Sequence, residues 1–184
     1  MRILAISGSL RRDSHNSALL RAAVELLPAD VDAAFHDGLK AIPPFDEDDL
    51  ADLPDAVQRL REEVEAADAV LIATPEYNHS IPGQLKNALD WLSRPLAESP
   101  LRNKPAAVIG ASTGMFGAVW AQAEARKVLA AIGARVVDRE VPVPSAHEQF
   151  HPDGRLRDED LEREIASVLE ALRDAVEART LAAR

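Results

Sequence analysis

Three stretches, Arg2–Ser7, Ala69–Thr74 and Ala106–Ala111, are nearly uninterrupted apolar runs of strand length, and they constrain the chain more than any other feature. A strand with one face in water alternates apolar and polar residues, whereas a continuous run has to be covered on both faces. Ala134–Val141 reads as a further strand, and Val31–His36 alternates weakly, as expected nearer a sheet edge. Segments of helical period separate them: Ser17–Leu27, Asp55–Ala67, Ile81–Leu96, Ala118–Ile132 and Asp158–Ala178. This alternation predicts right-handed crossovers and a doubly wound, three-layer α/β domain with a five-stranded parallel sheet in the order 2-1-3-4-5. Ligands then bind at the carboxyl ends of strands 1, 3 and 4. Residues 1–179 read as one domain, with 180–184 as a frayed tail.

The composition removes several classes of chemistry. Lys and Arg number 21 against 31 Asp and Glu, a formal charge of −10 that opposes nonspecific binding to nucleic acid or anionic lipid. Any bound phosphate therefore depends on local geometry. With no cysteine the chain has no thiolate nucleophile, disulfide or cysteine-ligated metal, and no metal site is expected. The apolar stretch Ala18–Leu27 is interrupted by Arg21 and Glu25, so the reading includes neither a signal peptide nor a membrane span, and a cytoplasmic protein is expected.

The three strand-end loops differ in what they offer. After strand 1 comes Ser7-Gly8-Ser9-Leu10-Arg11-Arg12-Asp13-Ser14-His15-Asn16-Ser17, in which Ser9, Arg11, Ser14, Asn16 and Ser17 can converge on one anion at a helix start. Read alone, the loop suits a capped helix as well as a phosphate cradle. It lacks the Walker-type and G-x-G-x-x-G patterns of nucleoside triphosphate and dinucleotide sites. After strand 3, Pro75 stiffens the exit, Tyr77 offers a flat face to a ring, and N–H groups beyond Pro75 can meet the edge of a heteroaromatic system. His79 has no nucleophile paired with it and reads as a surface residue. Ser112-Thr113-Gly114-Met115-Phe116-Gly117, after strand 4, permits close backbone approach to a ligand, although taken singly it is an ordinary turn. Together the loops describe a phosphate pocket beside a pocket for a planar ring.

The first loop, followed by Pro75-Glu76-Tyr77-Asn78-His79-Ser80-Ile81-Pro82-Gly83-Gln84-Leu85-Lys86-Asn87-Ala88-Leu89-Asp90-Trp91, resembles the NADPH-dependent FMN reductase family, which includes quinone, azo-dye and chromate reductases. The resemblance spans residues 2 to about 145 and implies a flavodoxin-like fold. By position it implies that Ser9, Arg11, Ser14, Asn16 and Ser17 hold the FMN phosphate. Pro75, Glu76, Tyr77 and Asn78 then line the isoalloxazine, and Ser112, Thr113 and Gly114 close its other side. NADPH or NADH is the implied co-substrate, a quinone or similar small molecule the acceptor, and the cycle ping-pong. Flavin carries the hydride chemistry, so no catalytic side chain is assigned. Other readings of the same pocket are a non-catalytic FMN or electron carrier and, more weakly, a phosphate-ester enzyme.

One departure stands out. Many members of the family carry Gly-Gly-x-Arg-Ala-Gln after the third loop, where this chain has Gly117-Ala118-Val119-Trp120-Ala121-Gln122. Trp120 replaces an arginine that could bear on nicotinamide binding or assembly. Trp91 lies off the apolar stripe of its helix, and with Trp120 and Phe116 it predicts apolar surface suited to a homodimer or homotetramer. Ile42-Pro43-Pro44-Phe45-Asp46 resembles a family segment near a subunit contact. Glu76 is expected to hydrogen-bond backbone, and Lys86 and Asp90 to lie on the helix surface or between subunits.

Overall fold

Strand β1 (Arg2–Ser7) lies between β2 (Asp32–His36) and β3 (Ala69–Thr74), and β4 (Pro105–Ala111) flanks β3 on the other side, every pairing parallel. The structure is a computed structural model and describes residues 1–182. The sheet order is β2-β1-β3-β4-β5, as the alternation predicts. Helices α1 (His15–Glu25), α2 (Asp55–Ala66), α3 (Gly83–Leu92), α4 (Val119–Ile132) and α5 (Glu159–Ala182) cover it.

Every residue of β3 and β4 is buried, which explains their unbroken apolar sequence. Successive side chains point to opposite faces and feed two separate cores. Leu4, Ile6, Val70, Ile72 and Val108 pack with residues of α2, α3 and α4 such as Leu60, Leu89 and Leu129. Ile3, Ala5, Leu71, Ala107 and Ile109 pack with residues of α1 and α5 such as Leu19, Leu20, Ile165 and Leu172. A strand interior filled in this way has no room for polar chemistry, which is therefore confined to the loops at the strand ends.

The expected fifth strand, Ala134–Val141, is two short strands, β5 (Arg135–Val136) and β6 (Pro142–Val143), both paired with β4. Between them the polar run Asp138-Arg139-Glu140 leaves the ladder and is exposed. The fully buried Gln122 side chain closes the gap: its Oε1 accepts from Val141 N–H at 3.0 Å, and its Nε2 donates to Val141 O and Gly117 O, each at 3.2 Å. Gly117 then has to be glycine, because at its φ of +57° a Cβ would lie 2.5 Å from Val143 N. Helix α5 continues through Thr180 to Ala182, beyond the point where fraying is expected, and residues 183–184 lie outside the described residues.

Trp91 corrects another expectation. Its side chain is fully buried, Nε1–H donates to Pro43 O at 2.9 Å, and Phe45 packs edge-on against the indole at 5.0 Å between ring centres. Asn87 donates to the same Pro43 oxygen and accepts from Phe45 N–H, while Gln84 donates to Leu39 O and Ile42 O. The polar residues of this helix thus clamp the connector after β2, and Trp91 contributes no surface to an interface. Lys86 and Asp90 form an i,i+4 ion pair on its outer face.

Candidate functional site

The carboxyl ends of β1, β3 and β4 bring Ser9, Arg11, Ser14, Asn16, Pro75, Glu76, Tyr77, Ser112 and Thr113 around one cleft of about 110 Å³. Its wall also includes His15 and Ala111, which the sequence did not single out. Ser17 lines a neighbouring pocket together with Ser7, Ser9 and Arg11, and its Oγ–H donates to Ser7 Oγ at 2.9 Å. Asn78 lies at an exposed turn, and Gly114 N–H donates to Ser112 Oγ at 3.1 Å; neither lines the cleft wall.

Loop 1 acquires its shape from α1. Ser14 is the N-cap, with extended backbone and an Oγ that accepts from Asn16 N–H at 3.2 Å and Ser17 N–H at 3.3 Å. The adjoining Asn16 side chain is buried and reaches across to β4. Its Nδ2 donates to Ala111 O and its Oδ1 accepts from Ala111 N–H, both at 2.9 Å. That amide is already committed to the backbone of β4, so Asn16 holds the loops together. Arg11 is exposed and makes no ion pair among the described residues; its guanidinium touches only Asp13 O, at 3.5 Å. An unpaired guanidinium at the positive end of a helix is a donor set for a phosphate.

The loop after β3 is a two-residue hairpin. Tyr77 N–H donates to Ser80 O at 3.0 Å, Ser80 N–H returns to Tyr77 O at 3.1 Å, and Asn78 and His79 have φ of +55° and +61°. This is the backbone of a type I′ turn, which needs positive φ at both central positions and suits Asn. The hairpin uses up Tyr77 N–H. Glu76, Asn78 and His79 N–H have no acceptor among the described residues, and those of Glu76 and Asn78 fall in the segment expected to meet a ring edge.

Glu76 reaches from this loop to the next helix. The residue before α4 is Ala118, left-handed at φ +64°, which offers no side-chain cap. Glu76 Oε2 replaces one, accepting from Trp120 N–H at 3.1 Å and Ala121 N–H at 3.2 Å. A carboxylate is stabilised at that position by the helix dipole and fixes the β3 loop relative to α4. The other oxygen, Oε1, lies 3.6 Å from His79 Nδ1. The His79 ring stands edge-on to Trp120 at 4.7 Å, and Phe116 meets the same indole at 4.8 Å. Tyr77, Met115, Phe116 and Trp120 remain 50%, 77%, 54% and 41% exposed.

The order 2-1-3-4-5 defines a flavodoxin-like α/β protein, and an anion-ready helix start beside a half-exposed aromatic ring suits a phosphorylated planar cofactor. Residues 1–148 match the model of the family described as NADPH-dependent FMN reductase, and the chain belongs to that family. It is 45% identical over 174 residues to an NAD(P)H-dependent FMN reductase of Pseudomonas aeruginosa, covering 94% of this chain and 93% of that one. With a 2-hydroxy-1,4-benzoquinone reductase of a Burkholderia species it shares 35% identity over 171 residues, 92% of this chain and 93% of the relative. Among solved structures, the flavoenzyme NAD(P)H:(acceptor) oxidoreductase of Paracoccus denitrificans superposes with a TM-score of 0.85 at 34% identity, covering 97% and 98% of the two chains.

The donor set fits FMN. Arg11, the start of α1 and Ser9 suit a phosphate, Tyr77 suits the face of a ring, and the unpaired N–H groups suit its polar edge. The Asn16 geometry is directly testable. Replacing Asn16 with Ala removes two buried hydrogen bonds to Ala111 and should lower the stability of the flavin-free protein by about 1–3 kcal/mol in urea unfolding. Weakened FMN binding with unchanged flavin-free stability would instead put the side chain on the phosphate.

Proposed function

We propose that this protein is an FMN-dependent oxidoreductase that passes hydride from NAD(P)H to quinones and similar small acceptors. The observation that carries this reading is the convergence of three loops, which bring Arg11, without a carboxylate partner among the described residues, and the half-exposed Tyr77 ring to the wall of one cleft. When bound, FMN supplies the hydride chemistry. The chain's own residues hold and orient it. Arg11, Ser9, Ser14 and the start of α1, with Asn16 and Ser17 as part of that start, take the phosphate. Pro75 and Tyr77 meet the ring, Glu76 and Asn78 N–H stabilise negative charge at its edge, and Ser112, Thr113 and Gly114 border the far side. Donor and acceptor occupy the same open face in turn, which makes the cycle ping-pong. Dependence on NAD(P)H favours the cytoplasm, and among the described residues no helix is long and apolar enough to cross a membrane.

The cleft of about 110 Å³ has room for a phosphate and its first carbons, and leaves a flavin ring beside the exposed Tyr77, Phe116 and Trp120. A second copy packed on this aromatic surface would wall one side of the ring while leaving a face to donor and acceptor, and a homodimer, with a homotetramer as its further pairing, is our reading of the assembly.

The purified protein should be yellow, and NAD(P)H should bleach its flavin band anaerobically. A yellow protein reduced by dithionite but not by NAD(P)H would be an electron carrier, and a colourless protein without FMN affinity would overturn the reading. Arg11→Ala should weaken FMN by about 1.5–3 kcal/mol, read by quenching of flavin fluorescence. Sedimentation velocity at micromolar protein should give a dimer or tetramer, shifted toward monomer by Trp120→Glu; a monomeric wild type would remove the assembly proposal.

A further inference from the structure

His15 is the first residue of α1 and lines the phosphate end of the cleft beside Ser9, Arg11 and Ser14. Its N–H has no acceptor among the described residues. Its ring lies nearly parallel to Phe150, at 7° and 6.4 Å between centres. Phe150 belongs to the connection between β6 and α5 and is anchored there by a bridge to Leu156 and by Arg157 Nε donating to its carbonyl. The phenyl ring thus restricts the plane of the imidazole.

The electrostatic surroundings are one-sided. Burial lowers the pKa of His15, and the positive charges of Arg11 from loop 1 and His147 from the connection after β6 lower it further. The carboxylates nearby are engaged elsewhere: Glu76 caps α4, and Glu148 lies 3.4 Å from His147 Nε2. Asp13, in loop 1, offers its backbone carbonyl to Arg11, while its carboxylate makes no ion pair with Arg11 or His15 among the described residues. No carboxylate pairs with His15 among the described residues. Arg11 and His15 thus line the phosphate end of the cleft with no carboxylate paired to either among the described residues.

We propose that His15 is a phosphate-binding residue, whose imidazole takes up a proton when the flavin's phosphate enters the cleft, so that FMN is held more tightly as pH falls through the histidine range. The proposal rests on the reading that FMN binds here through its phosphate. A phosphate dianion beside the ring supplies the missing opposite charge and favours the imidazolium, which can then donate a charge-assisted hydrogen bond. Linkage fixes the sign. FMN raises the pKa of His15, so binding strengthens as pH falls from above the bound-state value, and the gain levels off below the flavin-free value. The second protonation of the phosphate, near pH 6, opposes the effect by reducing the ligand's charge, so the window lies between about pH 6 and 8.5.

The test titrates FMN into the full-length, flavin-stripped protein from pH 6.5 to 8.5, with riboflavin as the phosphate-free control. Wild type should lose roughly three- to tenfold in FMN affinity across that range, whereas His15→Phe should be nearly flat and weaker at pH 6.5 by a similar factor. Riboflavin affinity should be flat for both proteins. Parallel slopes in wild type and His15→Phe, or the slope moving with His147→Gln instead, would overturn the assignment. Imidazole resonances of the wild type provide a check that does not depend on the variant folding: FMN should raise the pKa of His15, and an unmoved titration with FMN bound refutes the proposal. Failure of FMN to bind at any pH would instead remove the functional reading itself.

Discussion

The two hydrogen bonds between the Asn16 side chain and the Ala111 backbone hold the site in one piece. They join the first turn of α1 to the carboxyl end of β4 across 95 residues of sequence, in a region sealed from water. A buried amide paired on both its donor and its acceptor fixes distance and orientation at once, because breaking either bond leaves a backbone group dry. Loop 1 and the Ser112–Gly114 loop thus stand at a set separation before any ligand arrives, and the cleft between them is largely preformed.

Two other long-range contacts complete the frame. Glu76 carries the β3 loop onto the start of α4, and Gln122, one turn into that helix, replaces the missing ladder between β4 and the Val137–Val141 segment. Both residues fall within the stretches that mark the family, and both use their polar atoms on the backbone. Their position near the candidate site reflects the construction of its walls. The hairpin at Asn78-His79 belongs to the same frame, since it sets His79 against Trp120 and leaves Tyr77 half open.

Much of the fold was legible in the chain. Continuous apolar runs can be satisfied only by cover on both faces, and this alone points to β1, β3 and β4 at the centre of a parallel sheet. The residues that line the cleft were legible as three polar loops at the ends of those strands. Local pattern was insufficient for Ala134–Val141, whose outer residues have strand character but whose polar middle leaves the sheet. The same holds for Trp91, whose position off the apolar stripe suggested exposure until the Pro43–Phe45 connector was seen to fold over it. His15 gave no signal beyond its presence in a polar loop, because its importance comes from Arg11, His147 and Phe150, which different segments bring together.

The sequence by itself determined the layers, the strand order and the edge of the sheet at which a phosphate and a ring could bind, because hydrophobic periodicity and turn chemistry act over a few residues. The tertiary structure decided which polar groups remain available to a ligand. Asn16 and Glu76 look like ligands in a linear motif, yet their side chains are committed to distant backbone, while Arg11 and His15 stand without a carboxylate partner among the described residues. That difference lies in contacts between residues far apart in the chain, and only folding brings them within hydrogen-bonding distance.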